Sequence, residues 1–299
     1  RRRGGPQCRR YVPFRALTDH LPFAFSPDQM DTSMIMARQW YARTSADLYA
    51  RSVRLVAPLE DRFGQVLMGW TVIVALACLL RILFPVTPST SVATTLEMTL
   101  PHVAILISPF AAYWTANHLF PRDRLFAQPE IRLALVGRWK SLDVLTARDN
   151  PVFGPTGLMA SLLIGMLLNV PVRTVEFMTA IPALNSNAPH WGQMIFQAMT
   201  FDLVLMNFLY TLCFFMALRR MPFFPRMLLL TWGIDITSQL LMTDYLASAG
   251  DLPAEVASAL APLVDGNVKK VFISMIIWLP YLLLSERVNI TYRWRTAAK

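Results

Sequence analysis

A chain of 299 residues in which 55% of the side chains are hydrophobic and only 16% are charged carries more apolar surface than a soluble domain of that length can bury, so part of it must lie in lipid. The formal charge of +9 does not mark a nucleic-acid partner, because the lysines and arginines stand between apolar runs and form no stripe on a polar surface. Cys8, Cys78 and Cys213 are far apart, without disulfide or metal-ligand spacing, and read as free thiols; neither a metal nor a cofactor is implied.

Residues 1–62 read as a basic cytoplasmic tail. Its first thirty or so residues mix prolines, arginines and aromatics without a period. Asp31-Thr32-Ser33 then caps a basic amphipathic helix from Met34 onward, in which Met36, Trp40, Leu48 and Leu55 alternate with Arg38, Arg43, Arg51 and Arg54. Residues 63–120 form a two-helix transmembrane hairpin. The first helix covers about 63–84, with Arg81 near its far end as an interfacial anchor, and the second covers about 99–120, kinked at Pro109. The Ser/Thr/Pro-rich stretch between them lacks Lys and Arg, as an outside loop does. His102 and His118 are 16 residues apart, about 24 Å at 1.5 Å per residue, so they cannot share a metal or a haem iron.

A cytoplasmic loop over 121–153 carries six of the cations and includes a short amphipathic helix over 131–145, broken at Asn150-Pro151. A four-helix membrane domain over 154–293 follows. Its first helix is expected to end at Pro171, with Gly157, Ser161 and Gly165 forming a small-residue row that would admit another helix closely. The segment 172–187, with Arg173 and Glu176, would then lie along the outer surface. Two helices at about 191–218 and 227–246 make a hairpin around the turn Arg219-Arg220-Met221-Pro222-Phe223-Phe224-Pro225-Arg226. An acidic outer loop leads to a last helix over about 268–284, and 294–299 is a basic tail. Of 28 lysines and arginines, 24 fall in the tails and inner loops, which predicts an all-α bundle of about six transmembrane helices, N-in and C-in.

The chemistry-bearing residues sit on the central hairpin. Asp202 is about 15 Å from the outer end of its helix and Asp235 about 12 Å from the inner end of the next, so antiparallel packing brings both to one depth in a core about 30 Å thick. Asn207 and Gln239 add polar groups to the same faces, and Asp202, Asp235, Asn207 and Gln239 form the candidate midplane site. A carboxylate at that depth must be protonated, paired or turned to a wet cavity. Three uses are open: a proton or cation site of a small transporter, the dyad of an intramembrane aspartyl protease, or polar residues that fix helix packing. The protease reading lacks the second glycine of a Gly-x-Gly-Asp motif, since Ile234 stands there, and Pro182-Ala183-Leu184 precedes the hairpin instead of following it. No Walker loop, His-Glu-x-x-His, Gly-x-Ser-x-Gly or dinucleotide fingerprint occurs. A non-enzymatic accessory or scaffolding subunit is therefore the leading expectation and a transporter the alternative. The expected partners are the lipid bilayer and another membrane protein or a second copy of the chain.

The ending Ile277-Trp278-Leu279-Pro280-Tyr281, Ser285-Glu286-Arg287-Val288 and Thr291-Tyr292, placed after a helix hairpin with a basic, proline-containing turn, resembles a family of small bacterial inner-membrane proteins catalogued as domain of unknown function 2569. The likeness covers about residues 154–293. It implies a four-helix membrane unit and brings no catalytic residue with it. The opening Gly154-Pro155-Thr156-Gly157-Leu158 departs from the Gly-Gly-Trp-Leu-like start usual in that family.

Overall fold

The computed structural model describes residues 32–121, 126–130, 137–248 and 252–298. Helix α1 (Thr32–Asp61) covers the helix expected from Met34 but already includes Thr32 and Ser33, Asp31 of the expected cap lying outside the described residues, and it runs almost without pause into α2 (Phe63–Leu83). Among its described side chains only Ser52 and Val56 are buried, and Met36, Trp40 and Leu55 are exposed along with Arg43, Arg51 and Arg54. Helix α3 (Val92–Leu119) starts earlier than its apolar run. Ser91 accepts from the Thr94 amide at 3.2 Å while Thr94 accepts from the Ser91 amide at 3.0 Å, a reciprocal cap that draws residues 92–98 into the helix.

The inner loop differs from its expected helix. Residues 131–136 lie outside the described residues, and beyond them the chain forms a strand, β1 (Trp139–Ser141), and a one-and-a-half-turn helix, α4 (Val144–Asp149), which stops at Asn150 as expected. Helix α5 (Leu158–Ala180) passes through Pro171. The proline removes one hydrogen bond, to the Leu167 carbonyl, and within an apolar run the helix continues past that loss. Arg173 is thereby carried into the bundle and does not lie on the outer surface.

Helices α6 (His190–Leu218) and α7 (Phe224–Ala247) form the central hairpin. Their turn closes by Met221 N–H donating to the Met216 carbonyl and Arg220 N–H to the Ala217 carbonyl, with Arg220 at φ 58° in the left-handed region. Twenty of the 29 residues of α6 are buried, against three of the 31 of α8 (Ala254–Leu284), so α6 is the axis and α8 the periphery. Among the described residues, five helices (α2, α3, α5, α6 and α8) are long and apolar enough to cross a membrane, the make-up of an integral membrane protein. Helix α7 is less apolar than these because Arg226, Asp235, Gln239 and Asp244 interrupt it.

The expected boundary near residue 154 is not a boundary in space. Phe63, Leu67, Ala112 and Ala116 share one core with Met206, Phe214, Phe215, Leu228 and Trp232. Phe63 stacks on Phe214 at 5.7 Å and meets Phe215 edge-on at 4.5 Å. At the end of the bundle where α6 turns into α7, Arg219 donates to the Ala116 and Phe120 carbonyls at 2.7 and 2.9 Å, fastening the turn to the end of α3.

The C-terminal residues make a clasp at that same end. Helix α9 (Glu286–Arg293) is buried from Val288 to Arg293, and β2 (Arg295–Ala297) pairs antiparallel with β1, so the expected free tail is part of a sheet. Arg287 donates to the Val152 carbonyl at 2.9 Å and to Thr156 at 2.7 Å, Thr291 accepts from the Gly154 amide, and Tyr292 donates to the Ala217 carbonyl at 2.9 Å. Asn185 and Asn187 hold the other end, donating to the carbonyls of Thr87 and Pro88.

Gly157 starts α5 at φ 66°, ψ −137°, a conformation reserved for glycine, whereas Gly69 lies inside α2 with open space where a Cβ would go. Gly157→Ala should therefore lower stability by about 1–3 kcal/mol. Gly69→Ala should be neutral or stabilising by up to about 1 kcal/mol. Thermal unfolding of the two variants in one detergent reads the contrast.

Candidate functional site

Three helices deliver the site. Asp202 comes from α6 and Asp235 from α7, as the matched depths predict, and Arg173 from α5 lies between them. One guanidinium nitrogen, Nη1, reaches both oxygens of Asp235 at 2.9 and 2.8 Å, and Nη2 donates to Asp202 Oδ2 at 2.9 Å. Because a helical Cα–Cβ bond leans toward the N-terminus, Arg173 extends from its place in the C-terminal third of α5 back toward the middle of that helix.

Neutral donors complete the set. Tyr210 donates to Asp235 Oδ2 at 2.8 Å, and Ser238, one turn beyond Asp235, donates to Asp202 Oδ1 at 2.7 Å. All four carboxylate oxygens are thus engaged. Asp235 is 0% exposed, and Arg173 and Asp202 are each 6% exposed. With all three groups ionised the cluster carries one net negative charge. Opposite charges at hydrogen-bond distance offset most of the cost of removing them from water, and the satisfied remaining lone pairs meet the condition for a buried ion cluster to be tolerated.

The other two expected site residues stand apart from this cluster. Asn207 donates to Thr174 at 3.0 Å and touches neither carboxylate. Gln239 is fully buried with neither amide atom hydrogen-bonded, and Thr200 Oγ1 and Asn207 Oδ1 are likewise without partners. Each such orphan costs on the order of 1–3 kcal/mol.

A cavity of about 100 Å³ opens on the cluster between α5 and α8. At roughly 30 Å³ per molecule that is room for about three waters. Arg173 and Asp235 are among the residues that border it, Asp235 without exposed surface of its own; Asn169, Asn267 and Ser274 add polar groups, and Lys270, also at its border, is paired with Glu176. Two helical stripes make the walls: Leu162, Met166, Asn169 and Arg173 on α5, and Asn267, Lys270, Ser274 and Trp278 on α8. Gly165 also lines the cavity, and a Cβ there would meet nothing within 4 Å; Ser161 is exposed and Gly157 precedes the helix. The small-residue row therefore borders a gap and does not seat a neighbouring helix.

Arg173 was the residue that sequence reasoning missed, although a signal existed. Two carboxylates at one depth call for a cation, and Arg173 is one of only four lysines and arginines outside the basic segments. Of the others, Arg81 donates to the Met178 and Thr179 carbonyls, anchoring the C-terminal end of α5, and Lys269 and Lys270 pair with Asp265 and Glu176. His102 is buried with Nδ1 at 2.7 Å from the Met98 carbonyl, His118 makes the same contact one turn back to Trp114, and no group of three potential metal ligands occurs among the described residues. No known family model, curated protein or solved structure matches the chain.

Removing the cation while keeping both carboxylates should be the most damaging single change at the site. Arg173→Gln is expected to cost about 3–5 kcal/mol, and Asp235→Asn in the same chain should restore part of that loss. A double-mutant cycle on thermal stability in detergent checks the coupling; additive effects would mean that the two side chains do not interact.

Proposed function

We propose that the chain is a six-span protein of a bacterial inner membrane, N-in and C-in, that moves protons or a small polar solute through the Arg173–Asp202–Asp235 site and does not act as an enzyme. The observation that carries this reading is the cavity of mixed lining that borders Arg173 and Asp235 deep in the bundle, where a net negative charge and exchangeable donors lie beside a space the size of a few waters. The sixth span is α7. Helices α6 and α8 both end at the clasp, so the segment joining them must return across the bundle, and its 24 residues reach about 36 Å at 1.5 Å per residue. Among the described residues, the basic α6–α7 turn, the 137–149 segment and the C-terminal residues meet at the clasp end, which supports both termini being cytoplasmic.

An accessory or scaffolding subunit is the second reading. Its favouring observation is that the three charges are neutralised within the chain to one net charge, enough to hold α5, α6 and α7 in register without transport. The polar face of the central hairpin needs no outside partner, because α5 supplies one in Arg173. The resemblance to domain of unknown function 2569 is compatible with either reading.

Proteoliposomes with an imposed pH gradient and an internal pH-sensitive dye separate them. The transporter reading expects the protein to dissipate the gradient, and Asp235→Asn and Asp202→Asn to slow this at least about tenfold, the loss of about 1.4 kcal/mol or more. Gly165→Leu should do the same by filling the cavity while leaving every charge in place. A rate equal to that of empty liposomes for the unaltered protein, or one that survives all three changes, sinks proton movement through this site. Recovery of a stoichiometric membrane-protein partner from the native membrane, with no flux, would establish the accessory role.

A further inference from the structure

Asp235 stands at the border of the cavity and is nevertheless 0% exposed, so water in that space does not touch its carboxylate. A proton bound for Asp235 has to be handed on by a neighbour. Two residues that border the cavity donate to this carboxylate, Arg173 and Tyr210. Arg173 is a donor only and keeps its charge at any ordinary pH, so it holds the carboxylate without delivering a proton to it. A phenol hydroxyl both gives and accepts. Tyr210 gives its hydrogen to Asp235 Oδ2 at 2.8 Å, and among the described residues nothing donates to its own oxygen. The remaining polar groups at the border, Asn169, Asn267, Ser274 and Lys270, bond to neither carboxylate, and Lys270 is taken by Glu176.

The placement suits a transfer along the bundle. Tyr210 follows Asp202 on α6 toward the clasp, Gly165 and Asn169 precede Arg173 on an α5 that starts at the clasp, and Trp278 lies beyond Lys270 on an α8 that ends there. Much of the cavity's border therefore lies between the charged cluster and that end. A space of about three waters is enough for a proton carried along hydrogen bonds and too little for an ion with its hydration shell.

We infer that Tyr210 is the relay that passes protons between water in the cavity and Asp235, which makes the proton the species moved. This rests on the transport reading. As a hydronium ion gives a proton to Tyr210 Oη, the phenol's own proton passes along the existing hydrogen bond to Asp235 Oδ2. The hydronium becomes water, the carboxylate becomes a carboxylic acid, and Tyr210 is neutral before and after. Protonated Asp235 leaves Arg173 and Asp202 as a matched pair, so the cluster passes from one net negative charge to none. The reverse sequence returns the proton.

The test uses the full chain in liposomes with an imposed pH gradient and an internal pH-sensitive dye. Tyr210→Phe keeps the ring and every charge but removes the hydroxyl, and it should slow proton movement at least about tenfold, as loss of a group that transfers protons does. Tyr210→His restores a group that accepts and gives, and should be faster than Tyr210→Phe. A purely structural role gives the opposite order, because phenylalanine keeps the shape better. Tyr245→Phe, an exposed tyrosine on α7, should leave the rate unchanged. Thermal unfolding in detergent checks that the variants fold; should Tyr210→His not fold, Tyr210→Phe decides. No proton movement by the unaltered protein overturns the transport reading and the relay together. Movement that Asp235→Asn abolishes but Tyr210→Phe retains, or that ranks Tyr210→Phe above a folded Tyr210→His, overturns the relay alone.

Discussion

One cation shared by two carboxylates sets the register of this bundle. Arg173 can reach Asp202 and Asp235 together only if α5, α6 and α7 lie at one relative height, and any axial slip leaves a buried charge without its counterpart. Apolar packing alone fixes such heights poorly, because in lipid one leucine face is nearly as good as the next. The same demand accounts for two features that look like defects. Helix α5 keeps Pro171 in its interior because the helix must extend far enough to present Arg173, and α7 gives up part of its apolar character to carry Asp235 and Ser238.

The cavity arises from how the fourth helix is attached. Helix α8 packs on α7 and is buried at only Leu260, Val271 and Leu282, so it leans beside α5 without filling the space between them. Gly165, with nothing near its Cβ position, and the short side chain of Ser274 keep that space open. Larger apolar residues there would have sealed the ionic cluster in a dry core. Asn169, Asn267 and Ser274 at the border of the cavity are groups that could hydrogen-bond water, which the transport reading requires there.

Much of this arrangement was legible in the chain, and the illegible parts share a cause. Apolar runs of membrane length located α2, α5 and α6; Asp31-Thr32-Ser33 announced α1; and the arginines and prolines of 219–226 announced the central turn. The equal depths of Asp202 and Asp235 also emerged from counting residues inward from the helix ends. Local rules failed where a distant contact decided the outcome. Pro171 is a stop in water but only a missing hydrogen bond in a packed apolar helix. Ser91 and Thr94 belong to a loop by composition yet cap each other at the start of α3. Trp139 and Arg295 join in a two-stranded sheet across more than 150 residues of sequence, which no periodicity within either segment could announce. Asn207 and Gln239 were placed correctly on inward faces, but their partners depend on side-chain packing that spacing does not encode.

The arginines of the core and of the clasp illustrate a rule about where compensation comes from. Deep in the bundle, beside a space of only a few waters, the charge of Arg173 is met by carboxylates the protein itself supplies. At the clasp the demand is met by neutral acceptors: Arg287 donates to the Val152 carbonyl and to Thr156, Arg293 to the Leu282 carbonyl and Asn289, and Arg295 to the same Asn289 oxygen. Each of these acceptors lies where the chain has already turned, so the arginines fasten the end of the bundle by direction and distance and do not need a carboxylate to do it.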